Sequence, residues 1–309
     1  MENWFTEVRF NMRVFLTGAT GYVGSAVLES LARGGHQVDA LVRNNEGAAK
    51  VQARGATPVF GDLMQPASWR DAAAAANGSI HTAAQTGAKA GQADEIAVGV
   101  LTSLPDKENR FLIYTSGVWV LGPSPSPADE TAPLNPIELV SWRPAHEERI
   151  LATASSGARA VVVRPGILYG GSRGIVGDLL KDAANSLVRV VGSGDNHWPL
   201  IYDRDLGELY LRIVNTAAAS GVYHANDEGD ETVNEIVAAL GDHAHTQPSI
   251  RHVPLPEARK KMGAYADALA LDQIVRSPRA RALGWTPTLH SVAGNVARLF
   301  EEWKRGKAA

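Results

Sequence analysis

The chain has 309 residues, 45% hydrophobic and 20% charged, with a formal net charge of −3, enough to bury the core of one large α/β domain or of two lobes. Both signs of charge are interspersed, which excludes the basic field that nucleic acid or an anionic membrane would require, and no apolar run approaches the ~20 residues needed to cross a bilayer. Cysteine is absent, so disulfides, thiolate nucleophiles and cysteine-held metals are excluded and the cytoplasm is the compatible compartment.

Residues 1–11 are polar and aromatic, without the charged head and apolar middle of a signal peptide, and are expected to lie outside the fold because Met12 directly precedes the first strand. Arg13-Val14-Phe15-Leu16 is an apolar, β-branched run that reads as a buried strand. Thr17-Gly18-Ala19-Thr20-Gly21-Tyr22-Val23-Gly24 follows and opens into residues 25–32, which have helical periodicity. Strand, glycine turn and helix in this order place the glycines where a dinucleotide's pyrophosphate meets a helix N-terminus. Gly18 permits the tight turn, Gly21 lets backbone approach phosphate, and Gly24 lets the helix pack close on the sheet.

A second strand over residues 37–42 ends at Arg43, about 20 residues past the glycine turn. A carboxylate there would hold a ribose 2′-hydroxyl. A guanidinium instead suits a 2′-phosphate, which it can pair through two hydrogen bonds, so NADP(H) is the expected cofactor and NAD(H) the alternative. Asp39 lies too early in the strand to serve the ribose. Residues 46–54 read as a short helix, 57–60 as a strand leaving through Asp62-Leu63, and an alanine-rich helix runs to Ala76. Residues 78–84 end in Ala83-Ala84, with His81 expected to be a packed strand residue. The polar loop 85–91 puts Lys89 at the carboxyl edge of the sheet, near the cofactor in principle.

Residues 122–136, with five prolines, read as an irregular loop. Residues 160–170 contain Pro165, Gly166 and Tyr169. In residues 192–206, His197, Trp198 and Tyr202 are placed to line a pocket, and Asp203 and Asp205 suit a helix N-terminus by capping and dipole. His243 and His245 read as a solvated loop pair, and no metal-ligand spacing or repeat is present.

The segment TGATGYVG closely resembles the extended short-chain dehydrogenase/reductase family, with NAD-dependent epimerase/dehydratase-like members. The resemblance continues in Asp62-Leu63, which matches the pair flanking adenine, in Ala83-Ala84 at the fourth strand's end, and in residues 160–170, which match the sixth strand and its R-P-x-x-x-Y-G turn. It implies a nicotinamide cofactor held by Thr17, Gly18, Thr20, Gly21, Tyr22, Val23, Gly24, Arg43, Asp62, Leu63, Ala83, Ala84, Thr115, Pro165 and Gly166. The family's catalytic groups are not reproduced. Aligned on Gly122, the T-S-S-x-x-V-Y-G serine falls on Gly117, leaving Ser116 and Thr115 one and two residues earlier. The helix that should carry Y-x-x-x-K has Val140 and Pro144, or in a shifted register Trp142 and His146, at those positions.

The expected fold is α/β, a doubly wound Rossmann parallel sheet with a smaller α/β C-terminal substrate lobe. Residues 12–170 would form the dinucleotide-binding part, with 200–225 returning to it, and 171–199 with 226–309 the lobe. The expected function is an atypical NADP(H)-dependent oxidoreductase acting on a carbonyl or related small organic substrate; a sugar-nucleotide epimerase or dehydratase and a non-catalytic NADP-binding sensor are the alternatives. With the tyrosine–lysine pair missing, Tyr202, His197, Tyr169 and Ser116 are the candidates for proton transfer. No metal is expected, and a homodimer is compatible.

Overall fold

The apolar runs of the sequence become seven strands: β1 (Arg13–Thr17), β2 (Gln37–Val42), β3 (Thr57–Phe60), β4 (Gly78–His81), β5 (Phe111–Thr115), β6 (Arg159–Pro165) and β7 (Gly221–Ala225). They form one wholly parallel sheet in the order β7-β6-β5-β4-β1-β2-β3. This computed structural model describes residues 11–85, 87, 89–105, 110–243 and 248–308. All but the last residue of the expected N-terminal extension, and His245, lie outside the described residues.

A parallel sheet needs a crossover between neighbours and is covered on both faces, which is why the central strands read as unbroken apolar runs rather than alternating ones. Helices α1 (Tyr22–Arg33) and α4 (Asp203–Asn215) cover one face, burying Val27, Leu28, Leu206 and Tyr210 against the sheet. Helices α2 (Ala90–Thr102) and α3 (Arg143–Ala152) cover the other, with Ala97, Leu101 and Ile150 in a core that includes Trp69. Strand order reverses between β1 and β4. At that reversal the crossovers diverge to opposite faces and leave a crevice at the carboxyl ends of the strands, where open α/β sheets take their ligands.

A further apolar core gathers Leu180, Val188, Val190, Trp198, Ile236 and Leu299 from the later part of the chain. Two short parallel pairs support it, Ile167–Tyr169 with Leu200–Tyr202 and Leu187–Val191 with Ser249–Val253. Asp203 and Asp205 do lie in the first turn of α4, but neither caps it. Asp205 accepts instead from Thr288 N and Oγ1, both at 2.8 Å, tying the chain's end to the helix start. The proline-rich segment also differs from expectation, because Ser124–Ala128 is a strand paired in parallel with Gln273–Val275. Its prolines alternate with the residues in register, so the missing N–H groups fall on the unpaired side, where an edge strand tolerates them.

Candidate functional site

At the glycine turn, backbone does the shaping. Gly18 has φ +75°, and a Cβ on it would lie 2.5 Å from Ala83 N; one on Gly24 would lie 2.1 Å from Gly18 O. Only glycine allows α1 to approach β1 and the β4 exit this closely. Gly21 is the N-cap of α1 and offers no side chain, and the first turn holds no acidic residue. The free amides there face the crevice with the positive end of the helix dipole and nothing to compete for an anion. Thr17 is fully buried and its Oγ1 accepts from Ala83 N at 3.3 Å, fixing the small-residue exit of β4 beside the turn.

From this turn a cleft of about 630 Å³ runs toward β2 and β3 along Gly18, Thr20, Arg43, Asp62 and Leu63. Arg43 is exposed at the end of β2 and has no ion-pair partner among the described residues. Lys50 joins it on this wall, 2.6 Å from Glu46. Asp62 accepts from Met64 N at 2.8 Å, so its carboxylate shapes the turn while it lines the cleft.

Tyr22, Val23, Thr82, Ala83 and Ala84 form the boundary to a second cavity of about 310 Å³ over the ends of β4, β5 and β6. Thr115, Ser116, Gly117, Val118, Trp119, Pro165 and Gly166 line it. Val140, from the 3₁₀ turn Glu138–Val140, and Arg143, the first residue of α3, also line it. Val140 is the tyrosine position in one of the two registers and Trp142 in the other, and neither supplies a phenol. Tyr22 does line the cavity, but its hydroxyl donates to Gly170 O at 2.5 Å, and burial holds its ionisation far above the usual phenol range.

Two polar groups in this cavity stand out. Ser116 lines the cavity and its Oγ is buried without a hydrogen-bond partner among the described residues, so a rotation about χ1 is what would present the hydroxyl to the cavity. Arg143 donates through Nη1 to Thr115 O at 2.8 Å and stacks on Trp142 with its Cζ 4.7 Å from the ring centroid. No carboxylate pairs with it among the described residues. The helix that presents it is fixed by a buried bidentate pair, with Arg164 of β6 donating to Glu147 of α3 through Nε at 3.1 Å and Nη2 at 2.5 Å. Sequence reasoning passed over Arg143, although it is the sole lysine or arginine in residues 137–148.

The other expected proton donors lie elsewhere. Tyr202 is 1% exposed and its hydroxyl donates to Glu302 Oε1 at 2.8 Å while accepting from Arg298 at 3.1 Å; burial and Glu302 push its pKa up to about 12. Tyr169 is fully buried, with its centroid 5.6 Å from that of Tyr202 and its ionisation raised by burial first and by Asp227 next. His197 Nδ1 lies 2.8 Å from Asp272, away from the cavity. The two tyrosines are in register in the Ile167–Tyr169 and Leu200–Tyr202 pair, so both point into the C-terminal core rather than at the cleft. Lys89 lines neither cavity.

Behind the site is a buried polar chain. Asp94 of α2 accepts from His146 Nδ1 at 2.6 Å, Tyr114 Oη at 2.7 Å and His81 Nε2 at 3.1 Å, and His81 Nδ1 is 2.7 Å from Thr17 Oγ1. Burial alone would raise the Asp94 pKa, but the bonds from His146, His81 and Tyr114 outweigh it and hold the carboxyl well below its usual range. His81 is therefore a packed residue that joins β1 to α2. Its surroundings are saturated, with no open face toward the cavity.

A family model described as the NAD dependent epimerase/dehydratase family matches residues 14–226. The uncharacterized protein C2A9.02 of Schizosaccharomyces pombe is 30% identical over 296 residues, spanning 93% of this chain and 98% of the relative. A 4-hydroxy-2-methyl-3-oxo-4-farnesyl-3,4-dihydroquinoline-1-oxide ketoreductase of Stigmatella aurantiaca is 27% identical over 80% of this chain and 78% of its own. Among solved structures, human epimerase family protein SDR39U1 (isoform 2) with NADPH is similar at a TM-score of 0.73 and 21% identity, covering 94% of this chain and 99% of that one. The sheet order, the glycine turn and these matches together place the chain in the NAD-dependent epimerase/dehydratase family, as an atypical short-chain dehydrogenase/reductase.

Proposed function

We propose that the protein is an NADP(H)-dependent oxidoreductase that reduces a carbonyl in the cavity between β5 and α3. The carrying observation is that Ser116, whose Oγ has no hydrogen-bond partner, and an arginine without an ion pair line one apolar pocket that adjoins the glycine-turn cleft.

The residues present fit a dinucleotide. The uncapped start of α1 and the cradle that a Cβ at Gly18 would fill suit the pyrophosphate, Asp62 and Leu63 flank the adenine end, and Pro165 and Gly166 border the nicotinamide end. Arg43 would pair with a 2′-phosphate and favours NADP(H) over NAD(H). When bound, the reduced nicotinamide supplies a hydride to the carbonyl carbon.

The chain's own residues then handle the oxygen. Ser116 O–H and the free N–H groups of Arg143 donate to it as negative charge develops, in a site whose apolar walls raise the worth of each donor. Arginine keeps its own proton at any ordinary pH, so the proton that completes the alcohol comes from water through the serine hydroxyl. This replaces the family's acidic phenol by electrostatic stabilisation. The ketoreductase relative named above supports the carbonyl as reacting group, and the human neighbour's NADPH supports the cofactor.

Stopped-flow NADPH oxidation with a panel of aldehydes and ketones tests the reading, with Ser116→Ala expected to slow turnover about tenfold to a hundredfold. Tight NADPH binding without oxidation by any carbonyl would favour a non-catalytic sensor instead.

A further inference from the structure

The C-terminal part of the molecule contains another apolar cavity, of about 290 Å³, between the helix Gly174–Ala184, the strand Leu187–Val191 and the helix Leu255–Met262. Its walls include Leu179, Val190, Trp198, Val233 and Ala258, all buried. The indole of Trp198 already donates through Nε1 to Leu269 O at 3.0 Å, so the face it turns to the cavity is apolar.

This cavity abuts the one that holds Ser116 and Arg143. Ile175 lines both. Trp119, from the wall of the first, meets Tyr265, from the wall of the second, edge to face with centroids 6.4 Å apart. Ile175, which is half-buried, and the Trp119–Tyr265 pair thus stand where the two cavities meet.

From this continuity we infer that the substrate is a carbonyl compound with an extended aliphatic tail, its oxygen at Ser116 and Arg143 and its tail crossing Ile175 into the second cavity. The inference rests on the proposed reduction for the head group, and on the second cavity alone for the tail. Each cavity by itself is at the small end for an organic ligand; joined, they accommodate a chain. The charges on the second cavity argue against a nucleotide diphosphate there. Asp178 and Asp182 stand on its lining, and Arg189 is paired with Asp182 at 3.5 Å. Arg189 and Lys261 are exposed, so the charged groups sit toward the rim while the interior stays apolar.

The test uses straight-chain 2-alkanones from 2-butanone to 2-decanone, measured on the full chain with NADPH for KM and kcat, and by calorimetric titration with NADP⁺ present for Kd. Kd and KM should tighten about fourfold per added methylene, which corresponds to about 0.8 kcal/mol each, until the cavity is filled. Leu179→Trp and Ala258→Leu, which place bulk only in the second cavity, should flatten this dependence for the longer ketones; two sites are used so that one misfolded variant does not decide the matter. UDP should not displace 2-decanone.

Reduction of all the ketones with no chain-length dependence would overturn the tail site and leave the reductase reading standing. A steep chain-length dependence of Kd without NADPH oxidation would support the tail site and overturn the reductase reading. Displacement of 2-decanone by UDP, or an unchanged slope in both folded variants, would also overturn the tail site.

Discussion

At the glycine-turn end of the cleft the ligand-facing groups are main-chain amides and bare glycine Cα atoms, whereas at the other end they are two side chains, Ser116 and Arg143, set in an apolar wall. The first construction is rigid, because every added atom at Gly18 or Gly24 collides with backbone. The second can be rewritten by single substitutions without moving the sheet. A fold can therefore keep one end constant while the chemistry at the other is replaced.

Substitutions at the two ends should separate accordingly. The largest effect is expected for Arg143→Ala, which removes the charge opposite the developing alkoxide and should lower kcat/KM for carbonyl reduction about a hundredfold to a thousandfold. NADPH affinity, measured by fluorescence titration, should stay within a factor of two or so. A large loss of cofactor affinity would instead assign Arg143 to the dinucleotide end.

Gly18→Ala should do the reverse. Its φ of +75° and the 2.5 Å approach of a Cβ to Ala83 N make the substitution strained by about 1–3 kcal/mol. NADPH affinity should fall at least tenfold, or the melting temperature should drop by several degrees, and an alanine variant with wild-type affinity and stability would show that the turn is not the cradle described.

A smaller effect is expected at Arg43, where the contact is solvent-exposed. Arg43→Ala should weaken NADPH about tenfold and NADH hardly at all, since a charge-assisted bond to phosphate is lost only with the former. Equal losses for both cofactors would remove the 2′-phosphate assignment.

The smallest expected effect lies outside both ends. Burial, with Glu231 and Asp230 nearby, pushes the buried Asp227 carboxyl up to about 7 against an opposing bond from Gly229 N. The native carboxyl thus keeps a proton that the unfolded chain sheds above about pH 4. Stability falls as pH rises from about 4 to about 7 and is not lost further above that window. Asp227→Asn should raise the melting temperature at pH 8 by a few degrees and leave it nearly unchanged at pH 4, as followed by circular dichroism.

The glycine-turn end was legible from sequence because its rules are local. Spacing, strand and helix order, and the positive φ that glycine permits all lie within residues 13–33, and the parallel sheet followed from the same alternation of strands and helices. The cavity at the other end was not legible, because it is assembled from the ends of β5 and β6 and the segment leading into α3. The absence of the tyrosine could be read, but not that Val140 and Arg143 share a cavity, beside a helix that the Arg164–Glu147 pair ties to the sheet. Tyr169 and Tyr202 misled for a related reason. They sit on segments near the cleft, but their register in a short strand pair turns both rings the other way.

The strand made of alternating prolines has a consequence for how the protein is made. Gln273, in its partner strand, donates to Val118 O at 3.0 Å and Gly122 O at 2.8 Å across sequence separations of 155 and 151 residues. These bonds hold the turn that carries Trp119. A nascent chain emerges from its N-terminus, so the sheet and glycine turn can form long before residue 273 is available. The wall beside Trp119 is finished only once Gln273 has been made, and a ribosome-stalled fragment ending before residue 270 would carry the glycine turn without a completed chamber beside it.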